Sequence, residues 1–331
     1  MDKKLDIFGP YPPPMGGISI HIFRMESFLR KEGIPYKIYN HGSFSDSNVI
    51  ATNKSPLWYV KYLFSKKAPV LHFHHFLKFH YLYFLIFGFC SKTKLIVTIH
   101  GEDMLYYNRA TQWLIIWALR NTKFAELISV SSKLSIFLNQ KGIHNLLLPA
   151  YVPPARLNFQ RLEKVAGKDY FLYSIWEINR GIAISIYNME LAFKLLDRRR
   201  ENYHMLFLVG SKQGSDMEYL FFLIDKYQVS DSLTIIFEKQ LTDYLSNCKF
   251  LVRTNNEDGY GVSLQEALDL RIPAIASDVC VRPKGTILFE KGNIDDLCEK
   301  VDNIEKYWME DEIVAPNYHT QLLEIYKKTL I

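Results

Sequence analysis

Two doubly wound α/β domains joined by a short linker are the fold class that this chain predicts, on three observations. Short apolar, β-branched or aromatic runs alternate with amphipathic stretches along almost the whole length, as expected for parallel strands covered by helices. The alternation is interrupted once, by Pro149-Ala150-Tyr151-Val152-Pro153-Pro154. At 331 residues the chain is also longer than a single hydrophobic core usually serves.

In chain order, the first half offers strands at Leu5–Phe8, Tyr36–Tyr39, Val70–Phe73, Lys94–Ile99, Leu127–Val130 and Leu146–Leu148. The second offers Tyr170–Ser174, Met205–Val209, Leu233–Phe237, Phe250–Val252, Ala274–Ala276 and Thr286–Phe289. The expected boundaries are therefore an N-terminal Rossmann-like domain over 1–150, a linker over 151–154, a second domain over 155–310 and a closing segment over 311–331. Within the last, Leu322, Leu323, Ile325 and Tyr326 fall near helical spacing. Two such domains predict a central cleft between them. No internal repeat or low-complexity segment is apparent.

Composition excludes several classes. A hydrophobic fraction of 48% with 23% charged residues excludes a disordered chain. Cys90, Cys248, Cys280 and Cys298 are scattered without metal-ligand spacing, which points to reduced thiols and a cytoplasmic setting. The N-terminal apolar run meets Gly9 and Pro10 too soon for a signal-peptide core. The longest apolar stretch, Phe79 to Cys90, is short of the roughly 20 residues that span a bilayer; a buried or interfacial helix is expected there.

The net charge of +5 is unevenly spread. No acidic residue lies between Asp46 and Glu102, whereas Lys54, Lys61, Lys66, Lys67, Lys78, Lys92 and Lys94 do, among many aromatics. This 54–94 stretch suits either an anionic membrane surface or an aromatic core with solvated lysines. No nucleic-acid-binding motif accompanies it.

Several polar clusters fall just after expected strands, where open parallel sheets bind ligands. Asp258 and Glu266 stand eight positions apart across Gly259 and Gly261, at the entry to a helix. The carboxylates suit sugar hydroxyls, and helix N-terminal amides suit a phosphate. Ser263 and Glu266 also match a capping box, which would put Glu266 in the first turn of an ordinary capped helix. Gly16 and Gly17 follow Pro12-Pro13-Pro14-Met15 and precede another helix, without the dinucleotide or P-loop fingerprints. His100-Gly101-Glu102-Asp103 follows the fourth strand; His100 could donate to a ligand oxygen. These three acidic or imidazole side chains lack a distinctive metal spacing.

Taken together, PPPMGGISIH, HGED, PAYVPP and EDGYGVSLQEALDLRIPAIASD make the chain resemble, over nearly its whole length, the family 4 glycosyltransferases. The resemblance implies the GT-B fold and retaining transfer of a hexose-type unit from a nucleotide diphosphate sugar, without a metal or other cofactor. It implies that Glu266 holds the ribose, that Asp258 contacts donor-sugar hydroxyls and that His100 lies against the transferred sugar. Gly16 and Gly17 would meet the diphosphate, with the backbone around Gly261, Val262, Ser263 and Leu264. The acceptor would be a glycan or a polyprenyl-linked glycan of bacterial surface polysaccharide, O-antigen or capsule, met at the inner face of the membrane.

The family's second domain usually opens with Arg, four residues, then Lys. Here Ile175 stands in place of the Arg and Arg180 in place of the Lys. A departing diphosphate needs cationic help, for which Lys212 and Arg282 are the further candidates. No D-x-D motif occurs. The rival readings are a nucleotide-sugar-binding scaffold with weakened catalysis, or an epimerase or hydrolase on the same fold.

Overall fold

The computed structural model describes residues 4–13, 16–52, 58, 61–62, 68–74, 93–101, 103–154, 157, 159–313 and 316–331. The chain forms two compact units, one of Met1–Pro13, Gly17–Ala155 and Asn317–Ile331, the other of Pro14–Gly16 and Arg156–Pro316. Most of the 54–94 basic aromatic stretch, the Phe79–Cys90 stretch expected to be a helix, and Glu102 lie outside the described residues.

The first unit contains β1 (Leu5–Gly9), α1 (Gly17–Lys31), β2 (Tyr36–Asn40), β3 (Val49–Ala51), β4 (Val70–His74), β5 (Lys94–Ile99), α2 (Arg109–Asn121), β6 (Glu126–Ser129), α3 (Ser132–Gln140) and β7 (Leu146–Leu147). The second contains β8 (Asp169–Ile175), α4 (Arg180–Ser185), α5 (Met189–Arg199), β9 (Tyr203–Val209), α6 (Met217–Tyr227), β10 (Leu233–Phe237), α7 (Thr242–Leu245), β11 (Cys248–Arg253), α8 (Val262–Asp269), β12 (Ala274–Ser277), β13 (Ile287–Phe289), α9 (Ile294–Asp302) and α10 (Ile304–Tyr307). The last helix, α11 (Tyr318–Leu330), belongs to the first unit.

Both sheets are parallel throughout, in the orders β3-β2-β1-β4-β5-β6-β7 and β10-β9-β8-β11-β12-β13. Strands covered on both faces read as continuous apolar runs; β1 and β4 are buried at every position. Helix starts follow local chemistry. Asn108 accepts the Thr111 amide at 2.9 Å, and Ser131 accepts that of Leu134 at 3.2 Å. Asn293 caps α9, whose first turn carries Asp295 and Asp296, complementing the helix dipole.

Strand order reverses once in each sheet, between β1 and β4 and between β8 and β11. Such switch points open a crevice beyond the strand carboxyl ends. In the first sheet the neighbours are tight: a Cβ on Gly9 would stand 2.5 Å from Ile22 Cδ1 and 3.1 Å from His74 Cβ. Glycine is the residue that fits there. The closing helix seals the other part of this unit, burying Leu322, Leu323 and Tyr326 with Leu5, Ile7 and Ile22. Lys94 donates to the Thr329 carbonyl at 2.8 Å, and Lys327 pairs with Glu32 at 2.6 Å.

Candidate active site

In the second unit the switch point is flanked by Ile175, the last residue of β8, and Arg253, the last of β11. Ile175 is buried in the apolar core of the unit. A cation, Arg253, stands instead at the end of the neighbouring strand. Arg253 binds Asp258 through both ends of its guanidinium: Nε donates to Oδ2, and NH2 donates to Oδ1 at 2.8 Å. Its remaining arm reaches the first turn of α8, with NH1 donating to Ser263 Oγ at 3.3 Å.

Asp258 is a hub between two arginines. Arg282 donates to Oδ2 through NH1, and the Gly259 amide donates to Oδ1 at 2.9 Å. A carboxylate has about four lone-pair positions, and these four donors fill them. Asp258, expected from the sequence to contact sugar hydroxyls, here gives its carboxylate oxygens to two arginines and a backbone amide. Burial pushes its pKa up, but the Arg253 and Arg282 charges and bonds outweigh that and hold it below the usual carboxylate value. Arg282 is engaged too. Its side chain is 2% exposed, and Nε and NH2 are bound to the Ser277 carbonyl. It braces Asp258 rather than offering a spare charge.

The start of α8 also differs from expectation. The helix begins at Val262 with Gly261 as its N-cap at φ 81°, so Ser263 lies inside the first turn and does not cap it. Glu266 falls in the second turn, buried at 6% exposure. The capping-box reading fails because left-handed backbone at Gly261, which favours glycine, already starts the helix. A Cβ there would meet Leu264 Cδ1 at 2.7 Å and Arg282 NH1 at 3.2 Å, whereas one on Gly259 meets nothing within 4 Å. Arg180 and Lys212 are exposed, lying 5.7 Å from the Tyr219 ring and 5.6 Å from the Phe237 ring. Arg253 was missed in the sequence; a charged residue ending the buried run FLVR was the signal.

In the first unit, His74 ends β4 and His100 follows β5. His74 Nδ1 and His100 Nε2 are 3.0 Å apart, so one imidazole donates and the other accepts. Two further histidines complete a row. The His21 ring lies 5.2 Å from His74 and 5.5 Å from His100, and the His72 ring is 3.8 Å from His74. His72 is fixed by Tyr326 OH at 2.6 Å and Thr98 Oγ1 at 2.8 Å. His21 Nδ1 donates to the Ala150 carbonyl at 2.9 Å, leaving Nε2 buried without a partner. Burial lowers the His21 pKa to about 4 and drives those of His72 and His74 well below the ordinary value. Three of the four imidazoles are thus neutral at pH 7. Gly17, immediately after Gly16, opens the helix α1 that carries His21; a Cβ on Gly17 would meet nothing within 4 Å. Among the described residues, no group of three His, Cys, Asp or Glu could hold a metal ion, and no helix is long and apolar enough to cross a membrane.

Sequence comparison with curated proteins finds no match. Solved structures do match over nearly the whole chain. Sucrose-phosphate synthase from Thermosynechococcus elongatus superposes with a TM-score of 0.74 at 13% identity, covering 99% of this chain and 96% of that one. HepE of Anabaena, solved with UDP and glucose, gives 0.71 at 10% identity, covering 99% and 100%. The lipopolysaccharide outer core galactosyltransferase WaaB gives 0.63 at 14%, covering 98% and 99%. The two parallel-sheet units therefore have the GT-B architecture of these glycosyltransferase structures. Residues 187–317, which build most of the second unit, match the family model of the Glycosyl transferases group 1.

Proposed function

We propose that the chain is a retaining glycosyltransferase that moves a hexose-type unit from a nucleotide diphosphate sugar to a hydroxyl of a glycan or lipid-linked glycan in surface polysaccharide synthesis. The observation that carries this reading is Arg253, a cation held at the switch point of the second sheet by Asp258 and directed at the first turn of α8. A fixed guanidinium beside helix N-terminal amides suits a diphosphate. The group 1 match over 187–317 and the UDP and glucose carried by HepE support the same donor class. WaaB supports the acceptor class.

In the proposed step the acceptor oxygen forms a bond to the anomeric carbon while the bond from that carbon to the diphosphate oxygen breaks. The leaving diphosphate keeps the electron pair and takes the acceptor's proton, so attack and departure share one face. Arg253, Arg180 and the backbone amides at Val262 and Ser263 stabilise the charge that develops on the diphosphate. Glu266 receives the ribose hydroxyls. His100, oriented by its bond to His74, contacts the transferred sugar. No metal is required in this scheme, and the protein works at the inner face of the membrane.

Thermal shift with UDP, GDP and ADP sugars tests the donor assignment, because a specific ligand raises apparent stability by mass action. One nucleotide series is expected to stabilise, and Glu266→Ala to abolish that shift; an unchanged shift removes Glu266 from the site. Labelled donor incubated with a lipid extract then separates transfer from free sugar, an epimerised donor or binding alone. Transfer with the anomeric configuration kept, and unaffected by EDTA, is the expected result.

A further inference from the structure

The outward face of α2 is apolar where solvent-facing helices carry charge. Its inward face is accounted for by Ile115, Ala118 and Leu119, buried in the core of the first unit. Opposite them, Trp113, Leu114 and Trp117 are 65%, 40% and 43% exposed. The two indoles stand four residues apart and so share one side of the helix.

Helix α3 packs into the same core and is tied to α2. Lys133, near its start, donates to Tyr106 OH at 2.8 Å just ahead of α2, and Arg120, in the last turn of α2, donates to the Lys141 carbonyl at 2.9 Å beyond the end of α3. Both ends of the pair are thereby tied, and Tyr106 and Ile136 are 59% and 57% exposed. The surrounding charge is mostly positive. From Met104 to Leu162 the only acidic residue is Glu126, with Glu102 and Asp103 just ahead, while Arg109, Arg120, Lys123, Lys133 and Lys141 fall within the two-helix region.

We propose that this two-helix face docks on an anionic phospholipid surface. Indole and phenol rings partition to the level of lipid headgroups, where one end is apolar and the other wet. Lys and Arg lay their stems along apolar surface and keep their charge at the phosphates. A protein groove that swallowed two tryptophans would account for the apolar stripe but not for the excess of basic over acidic residues along it. The face is separate from the 54–94 stretch that the sequence singled out, and the inference does not depend on the proposed chemistry.

Flotation of the full chain with phosphatidylcholine vesicles, with and without phosphatidylglycerol, tests the proposal at low and at physiological salt. The protein is expected to float with anionic vesicles only, less so as salt rises. Arg109→Gln with Lys123→Gln is expected to weaken binding about tenfold or more. Trp113→Ser with Trp117→Ser is expected to abolish flotation. Should that variant not fold, Trp113→Phe with Trp117→Phe decides: it keeps flotation but loses the fluorescence quenching that brominated phosphatidylglycerol causes in the parent. Quenching that survives in the Phe variant assigns docking to another face and overturns the proposal. So does indifference to anionic lipid, or a dimer that the Ser variant dissociates. Absent flotation with an intact nucleotide-induced thermal shift overturns the docking while leaving the transferase reading in place.

Discussion

Asp258→Asn is the most discriminating perturbation, because the two roles open to this residue predict opposite outcomes. The side chains of Arg253, Asp258 and Arg282 are 18%, 9% and 2% exposed, so the cluster is largely shielded from solvent. Asparagine keeps the shape but removes the charge facing two guanidinium groups, and its amide nitrogen cannot accept. Breaking a buried ion pair by removing one partner costs about 3–5 kcal/mol. A domain of this size loses about 2–4 °C per kcal/mol, so its melting transition is expected to fall by about 6–20 °C. Any nucleotide-induced shift is expected to shrink as well, since Arg253 would no longer be held against α8. Because the folded-state pKa of Asp258 lies below its unfolded value, its contribution is fully present above the unfolded pKa and is lost as pH falls through the folded one. The penalty should therefore be constant from pH 5 to 8 and should fade only in stronger acid. Differential scanning calorimetry and thermal shift with UDP and UDP sugars measure both effects. A melting temperature within about 1 °C of the parent, with response to UDP kept and response to the sugar lost, would refute the hub and restore Asp258 as a sugar ligand. Adding Arg282→Met to the asparagine variant should recover part of the loss, because it removes one of the unpaired buried cations.

Gly261→Ala is expected to cost about 2 kcal/mol, since alanine at φ 81° is strained by about 1–2 kcal/mol and its Cβ meets Leu264 and Arg282. Gly259→Ala, with open space around the new methyl, should melt with the parent; equal losses in the two variants would sink the argument. The histidine row predicts that the first unit weakens in mild acid. His21 has a folded pKa of about 4 against 6.5 unfolded, so the unfolded chain binds more protons between those values. Stability is full above pH 6.5 and falls by about 3 kcal/mol toward pH 4 from His21 alone. Chemical denaturation from pH 7.5 to 4.5 reads this, and a flat profile would contradict it.

Most of the fold was legible because parallel strands buried on both faces declare themselves as short apolar runs. The strand at Lys94–Ile99 was read to the residue, and so was Leu233–Phe237. The edge strand Val49–Ala51 escaped notice, its three residues being too few to make a run. The candidate site was less legible for two physical reasons. Arg253 and Asp258 are only five residues apart, but nothing in the spacing says that a strand end and a loop carboxylate fold onto one another. The histidine row draws His21 from a helix, His72 and His74 from the middle and end of β4, and His100 from just past β5, so sequence reasoning had selected only the His that opens HGED. Ser263 and Glu266 gave a false cap because the pattern cannot report that Gly261 is already left-handed.

The return of α11 to the first unit has a consequence for biosynthesis. A chain emerging from the ribosome presents nearly all of the second unit, 156–316, before residues 317–331 exist. Domains generally fold as units during synthesis, so the later-encoded unit is positioned to finish first. Until Tyr326 arrives, His72 lacks the hydroxyl that fixes it, and the apolar surface under Leu322 and Leu323 stays open. The earlier-encoded unit thus waits on residues 317–331, which are encoded after the second unit. A lesion that removes them would strike the unit that opens the chain.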